Sequence, residues 1–255
     1  MDRVAVISTI GLSPPVVSIF VDWMEHNGFK VGKCVIIATS DEEVIKGSIL
    51  AKYAILSRYR GVDVDIKRMS YKDIDSFDRV LDFMKLLIDL IVSLRREGYT
   101  QIYINIAGGR KEMGIVASII AELLAVSGVY HVITRGVKLS DEKLMYIKEH
   151  MDKLYSIDEK LKYYLNHRDI FDEVMYPGHP NYTVIPIPII PYPEDILTKI
   201  INILTSGHEF KIPETKLPTE LIERMRIAGL IYIRGDRVIP TDYGFKIGSV
   251  LKSIL

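Results

Sequence analysis

The chain has a single cysteine in 255 residues, so it can close no intrachain disulfide and presents no thiol pair to a metal. Cys34 falls inside an apolar run and reads as a small core residue, which fits a reducing compartment. There is no excess of charge of either sign: Lys and Arg total 33, as do Asp and Glu. That balance removes the broad electrostatic basis for binding nucleic acid or an anionic membrane, and any anion site must be local. Long hydrophobic runs are missing too. The most apolar stretch, 113–126, contains Glu122 and falls short of the ~18 uninterrupted apolar residues of a membrane span. The N-terminus enters a strand pattern directly and does not resemble a signal peptide. A cytoplasmic protein with no membrane segment is expected. The six histidines are scattered, with no H-x-x-x-H and no His/Cys pairing, so neither a metal site nor a metal cofactor is expected. Neither G-x-G-x-x-G nor the P-loop spacing occurs, which argues against a dehydrogenase or a P-loop nucleotidase.

Against these absences stands one rich stretch, Tyr103-Ile-Asn-Ile-Ala-Gly-Gly-Arg-Lys-Glu-Met113. An apolar strand runs into two glycines, two cations follow, and a long apolar helix begins. Glycine lets the backbone turn tightly and approach a ligand. The first amides of a helix lack internal partners and favour an anion, and Arg110 and Lys111 add full charge at the same point. The stretch reads as a phosphate cradle or, more plainly, as a strand-to-helix turn with two solvated cations.

Its surroundings favour the cradle. Apolar strands at 4–10, 33–39, 62–68, 101–106 and 129–134 alternate with helical patterns at 14–26, 41–60, 76–97 and 111–127. Such alternation predicts a Rossmann-like α/β fold with a parallel sheet of order 3-2-1-4-5. The winding then reverses between strands one and four, where ligands bind in sheets of this kind. The loops there are Gly11-Leu12-Ser13-Pro14-Pro15 and Ala107-Gly108-Gly109-Arg110-Lys111. Gly11-Leu12-Ser13 begins like a nucleophile elbow, but Pro15 replaces the closing glycine. Ser13 reads as an N-cap with Pro14 in the first helical position. The helix after Arg110 is apolar nearly all round, more than one sheet face can cover, so a two-fold homodimer is expected through it.

Residues 140–174 are charged and helical in pattern, with a break near Ser156. Tyr176-Pro-Gly-His-Pro180 reads as a loop. The prolines of 183–190 confine that segment to an edge strand or extended chain, and Pro191-Tyr-Pro193 reads as a stiff linker. The chain divides into an α/β domain, 1–190, and a small tail domain, 194–255. In the tail, helices at 196–205 and 218–229, a hairpin over 229–240 and a last helix from Thr241 have the layout of a winged helix-turn-helix. Nine cations against eight anions leave it near +1, and Glu220 and Glu223 fall on the outer face of its recognition helix. Strong DNA binding is therefore not expected, although the layout admits it.

The two switch-point motifs together, Ser8-Thr-Ile-Gly-Leu-Ser-Pro-Pro-Val16 and Ala107-Gly-Gly-Arg-Lys-Glu-Met113, resemble those of a CARF domain, the sensor of cyclic oligoadenylates in type III CRISPR defence. With the tail, the likeness is to the archaeal stand-alone ring nucleases of that type. No arginine precedes a histidine at the five-to-seven-residue offset of HEPN ribonucleases. The resemblance implies a homodimer binding cyclic tetra-adenylate and cutting it, without metal, to linear di-adenylate with a 2′,3′-cyclic phosphate. It implies that Ser13 orients the attack and that Arg110 and Lys111 stabilise the phosphate and the transition state. Thr9, Gly11, Leu12, Thr39, Ser40, Gly108, Gly109 and Arg168 are expected around the ring. Lys162 and Arg168 are the candidates for a further basic residue from the segment after strand five. The rival readings are a CARF-type transcription regulator and a sensor that binds without cutting.

Overall fold

The computed structural model describes residues 3–135, 141–178, 180–190 and 192–255. Three points of the sequence reading, namely Ser140 as a helix start, His179 in its loop and Pro191 in its linker, lie outside those residues, as do Met1 and Asp2 ahead of the expected first strand.

The strands are β1 (Val4–Thr9), β2 (Val31–Ala38), β3 (Asp63–Arg68), β4 (Gln101–Asn105), β5 (Gly128–Thr134) and β6 (Tyr182–Ile187), in the order β3-β2-β1-β4-β5-β6. The first five are parallel and β6 closes the edge antiparallel to β5. The expected order is thus present, and the proline-bearing segment is an edge strand, where a missing N–H costs least. All six residues of β1 are buried, as a strand covered on both faces requires. Val4 and Val6 belong to the core under α1 (Pro15–His26) and α2 (Glu42–Arg58). Ala5 and Ile7 belong to the core under α3 (Phe77–Arg96) and α4 (Lys111–Leu123). Cys34 is fully buried, and burial pushes its thiol up to about 12, which makes it an inert packing residue.

Helix boundaries follow local chemistry. Asp41 caps α2 by accepting from the amides of Glu43 and Val44, and Ser76 caps α3. The helix after Arg110 stops four residues earlier than the sequence pattern indicates. Ala125 takes a left-handed conformation (φ 46°), the Val126 amide returns to the Ala121 carbonyl, and Ser127 is bonded to Ile102 at the mouth of β5. Ser13 is not a helix cap, contrary to expectation. The helix starts at Pro15 with Pro14 in the capping position, and the amides of Val16 and Val17 are taken by the carbonyls of Ser13 and Pro14. Two consecutive prolines leave no free amide for the hydroxyl to cap.

The charged segment forms α5 (Asp141–Ser156), α6 (Lys160–Asn166) and α7 (Arg168–Met175), packed on α1 and α2. The break at Ser156 is where the sequence places it; the second, at His167, was not anticipated. The tail contains α8 (Glu194–Thr205), β7 (Phe210–Lys211), α9 (Thr219–Ile227), β8 (Ile231–Arg234), β9 (Arg237–Pro240) and α10 (Asp242–Leu251), with a small sheet β7-β9-β8. It has its own small core around Ile222, Met225 and Val238. Leu197, Ile201 and Leu251 nevertheless join the apolar layer under α3 and α4, so packing is continuous from sheet to tail. Among the described residues no helix is long and apolar enough to cross a membrane.

Candidate functional site

The β1–α1 and β4–α4 loops meet backbone to backbone at the switch point. A Cβ on Gly11 would stand 2.9 Å from the Gly109 nitrogen, and one on Gly108 would stand 2.6 Å from the Thr9 carbonyl oxygen and 2.8 Å from the Ile10 Cα. Gly109 adopts φ +90°. The glycines are therefore required first for the loops to wedge together, before any ligand is considered. Two polar side chains lock the wedge. The buried Thr9 hydroxyl donates to the Gly108 carbonyl at 2.6 Å. Asn105, fully buried, donates to Ser8 Oγ (2.9 Å) and the Val16 carbonyl (3.0 Å) and accepts from the Ala107 amide (3.1 Å).

The wedge leaves α4 with an open N-terminus. Arg110 occupies the capping position in extended conformation, and no side chain caps the helix. The Met113 amide is taken by the Arg110 carbonyl at 3.0 Å, which leaves the amides of Lys111 and Glu112, with the helix dipole, to face an anion. The neighbouring start of α2 differs, since Asp41, Glu42 and Glu43 crowd it. A cleft of about 270 Å³ lies on the loop-one side of Gly109 and Arg110, lined also by Ile10, Gly11, Leu12, Thr39, Asp41, Val44 and Lys72. A second, of about 320 Å³, lies on the other side of the same loop, between residues 106–111, Gly114, Ile115 and His131. The Gly-Gly-Arg-Lys loop is the ridge between them.

Of the residues expected at the site, Gly11, Leu12, Thr39, Gly109 and Arg110 line the first cleft, and Gly108, Gly109, Arg110 and Lys111 line the second. Leu12 is 79% exposed and forms the lip. Thr9 serves the wedge and has its hydroxyl turned to Gly108 rather than to a ligand. Ser40 lines neither cleft; its amide holds the Tyr71 carbonyl at 2.9 Å. Ser13 is exposed beside Leu12, lines neither cleft and leaves its hydroxyl without a hydrogen bond among the described residues. Lys111 is exposed and has no ion-pair partner among the described residues.

Arg168 and Lys162 are not brought to the clefts either. Arg168 is held by Asp172 at 2.8 Å, and that carboxylate is shared with Arg58 and with the Tyr164 hydroxyl. Arg58 ends α2, whose first turn stands at the cleft, so this cluster lies about 24 Å along the helix from it. Lys162 pairs with Glu159 on the outer surface of α6. The sequence reading missed Lys72 in the cleft wall, Asp73 paired with Arg110 at 2.8 Å, the Asn105 clamp and His131. Asn105 carried a signal, a polar amide ending an apolar strand. Lys72 and Asp73 carried none, because a charged loop after an edge strand is ordinarily solvated. On the tail, Glu220 pairs with Arg224 and Glu223 with Arg226, so the outer face of α9 is self-neutralised.

Fold and site together define a Rossmann-like α/β protein with two clefts at its switch point. The protein-family model described as "CRISPR-associated protein NE0113" matches residues 13–216. The chain belongs to this family of CRISPR-associated proteins. Among solved structures, Csm6 of Enterococcus italicus, bound to cyclic hexa-2′-fluoro-hexa-dAMP, is 14% identical with a TM-score of 0.49, covering 80% of this chain and 47% of its own. The chain thus spans about half the length of that Csm6. Protein VC1899 of Vibrio cholerae is 8% identical with a TM-score of 0.39, covering 98% of this chain and 66% of its own. No curated protein sequence matches.

Proposed function

We propose that the chain is a CARF-type ring nuclease that binds cyclic tetra-adenylate across a homodimer and cleaves it, ending type III CRISPR signalling. The observation that carries the reading is the uncapped N-terminus of α4, presented with Arg110 and Lys111 on a glycine wedge at the switch point. Membership of a CRISPR-associated family and the paired loop motifs supply the ligand class.

In this reading the ring phosphates lie over the Gly-Gly-Arg-Lys ridge. A ribose 2′-oxygen attacks the adjacent phosphorus and gives up its proton. The P–O5′ bond breaks, the 5′-oxygen takes up a proton, and the 2′,3′-cyclic phosphate remains. Two such cuts give two linear di-adenylates. Lys111 neutralises the charge developing on the phosphorane oxygens. Ser13, unused by the helix, orients the 2′-OH. With Arg168 and Lys162 engaged elsewhere, the described cation that directly follows β5 is the exposed Arg135, whose amide is tied to Asn181 at 2.7 Å. That engagement favours one second reading, a sensor that holds the ring without cutting it.

The homodimer has a surface available. Ile115 and Ile119 on α4 are 63% and 49% exposed, and Ile133 and Ile185 expose further apolar area on β5 and β6. Covering these faces with a second copy removes that area from water. Light scattering at micromolar concentration should give the mass of two chains, and titration should saturate at one ring per two chains. Ile119→Glu should yield monomers and lose ring binding. A monomeric wild type, or one ring per chain, would contradict the shared site.

A further inference from the structure

Arg110 does not wait empty for a phosphate. Its Nη2 atom meets Asp73 Oδ2 at 2.8 Å, and Asp73 directly follows Lys72 of the cleft wall. The carboxylate is fixed from behind, because Oδ1 accepts the Ile74 amide at 2.8 Å. The nearby Arg79 does not compensate its charge. That guanidinium reaches only the Asp73 carbonyl (3.2 Å) and gives its ion pair to Asp75 (2.6 Å). The loop is braced as well, since the Tyr71 carbonyl accepts the Ser40 amide and the Tyr71 hydroxyl donates to the Arg79 carbonyl. A carboxylate presents two oxygens to a guanidinium as a phosphodiester does.

We infer that Asp73 is a built-in stand-in for the ligand phosphate, which must be displaced from Arg110 on binding and so holds down the affinity of the cleft for phosphate ligands, most for a ring that engages both arginines of a dimer. The inference rests on the cyclic-oligoadenylate reading of the site. The pair is exchangeable: its side chains are 56% and 42% exposed, and exposed ion pairs are weak. A mononucleotide gains one contact and must displace one carboxylate to make it. A ring spanning two copies makes both contacts in one binding event and displaces both carboxylates, so the two effects multiply. Asp73 would therefore hold down the affinity for ring, mononucleotide and linear product alike, and would favour product release.

The test is Asp73→Asn, which keeps an oxygen for the Ile74 amide and removes the charge, with Asp73→Ser as a second variant should the first melt early. Affinities for cyclic tetra-adenylate and for adenosine 5′-monophosphate are measured by calorimetry against wild type. Removing an exposed ion pair should tighten binding by about two- to fivefold per arginine. The ring, gripped by both copies, should gain up to about 25-fold, and adenosine monophosphate should become measurably bound. If wild type binds the ring and both variants bind it equally or more weakly, Asp73 only orients Arg110 and the stand-in role is overturned. If neither wild type nor variants bind the ring, the reading of the cleft itself fails and the stand-in role falls with it.

Discussion

Lys111→Ala is expected to slow cleavage of cyclic tetra-adenylate by about 30- to 1000-fold in single turnover. Lys111 is the first residue of α4, exposed, and without an ion-pair partner among the described residues. A preorganised donor at the point where negative charge develops contributes ~2–4 kcal/mol to the transition state, and each 1.36 kcal/mol is roughly tenfold in rate. Arg110→Ala should weaken ring binding as well as cleavage. Its effect on binding should be the smaller of the two, because in the free protein Arg110 already has Asp73 as a partner. Ser13→Ala separates the steps differently. The hydroxyl caps nothing, so its loss should leave stability and ring affinity near wild type while cleavage falls. A Ser13→Ala protein that cuts at the wild-type rate would remove Ser13 from the mechanism and direct attention to the cations after β5.

Gly108→Ala should damage the site more than any single side-chain loss outside the chemistry. The new methyl would lie 2.6 Å from the Thr9 oxygen and 2.8 Å from the Ile10 Cα, both backbone atoms that no rotamer change can move. The two loops must part, and the Thr9–Gly108 hydrogen bond is stretched. Overpacking of this kind costs about 1–3 kcal/mol, and each kcal/mol lowers Tm by about 2–4 °C in a chain of comparable size. A fall of about 3–10 °C is expected. Ring binding should weaken about tenfold or more, the worth of one hydrogen bond to a charged group. Gly61→Ala is the control, because a Cβ there meets nothing within 4 Å and should leave both readouts unchanged. An unchanged melting curve and unchanged affinity for Gly108→Ala would mean that the wedge is not what shapes the site.

Much of this was legible in the sequence because it rests on patterns that local chemistry enforces. Alternating apolar strands and helices specify a doubly covered parallel sheet, and the glycines at 11, 108 and 109 mark the loops that cross at its switch point. The prolines at 186 and 188 exclude a central strand. What was not legible depends on which partner each group takes, nearby or far along the chain. Whether Ser13 caps a helix is decided by which amides two prolines remove and which carbonyls take the rest. Whether Arg168 reaches the site is decided by Asp172, one turn along the same helix, and by Arg58 on α2 and Tyr164 on α6, which share that carboxylate. Asp73 becomes meaningful only once the loop after β3 is seen beside Arg110, 37 positions away in sequence. The role assigned to Gly108 and Gly109, bringing backbone to the ligand, is also enlarged: their first task is contact between the two loops.

The most direct test of the central claim is to incubate the purified wild-type protein with cyclic tetra-adenylate in excess EDTA and follow the products by chromatography. The account predicts linear di-adenylate carrying a 2′,3′-cyclic phosphate, formed without added metal and strongly reduced in Lys111→Ala. A ring that is bound yet intact after hours would contradict cleavage and leave the non-cutting sensor. A ring that is neither bound nor cut would contradict the assignment of the switch-point cleft to this ligand altogether.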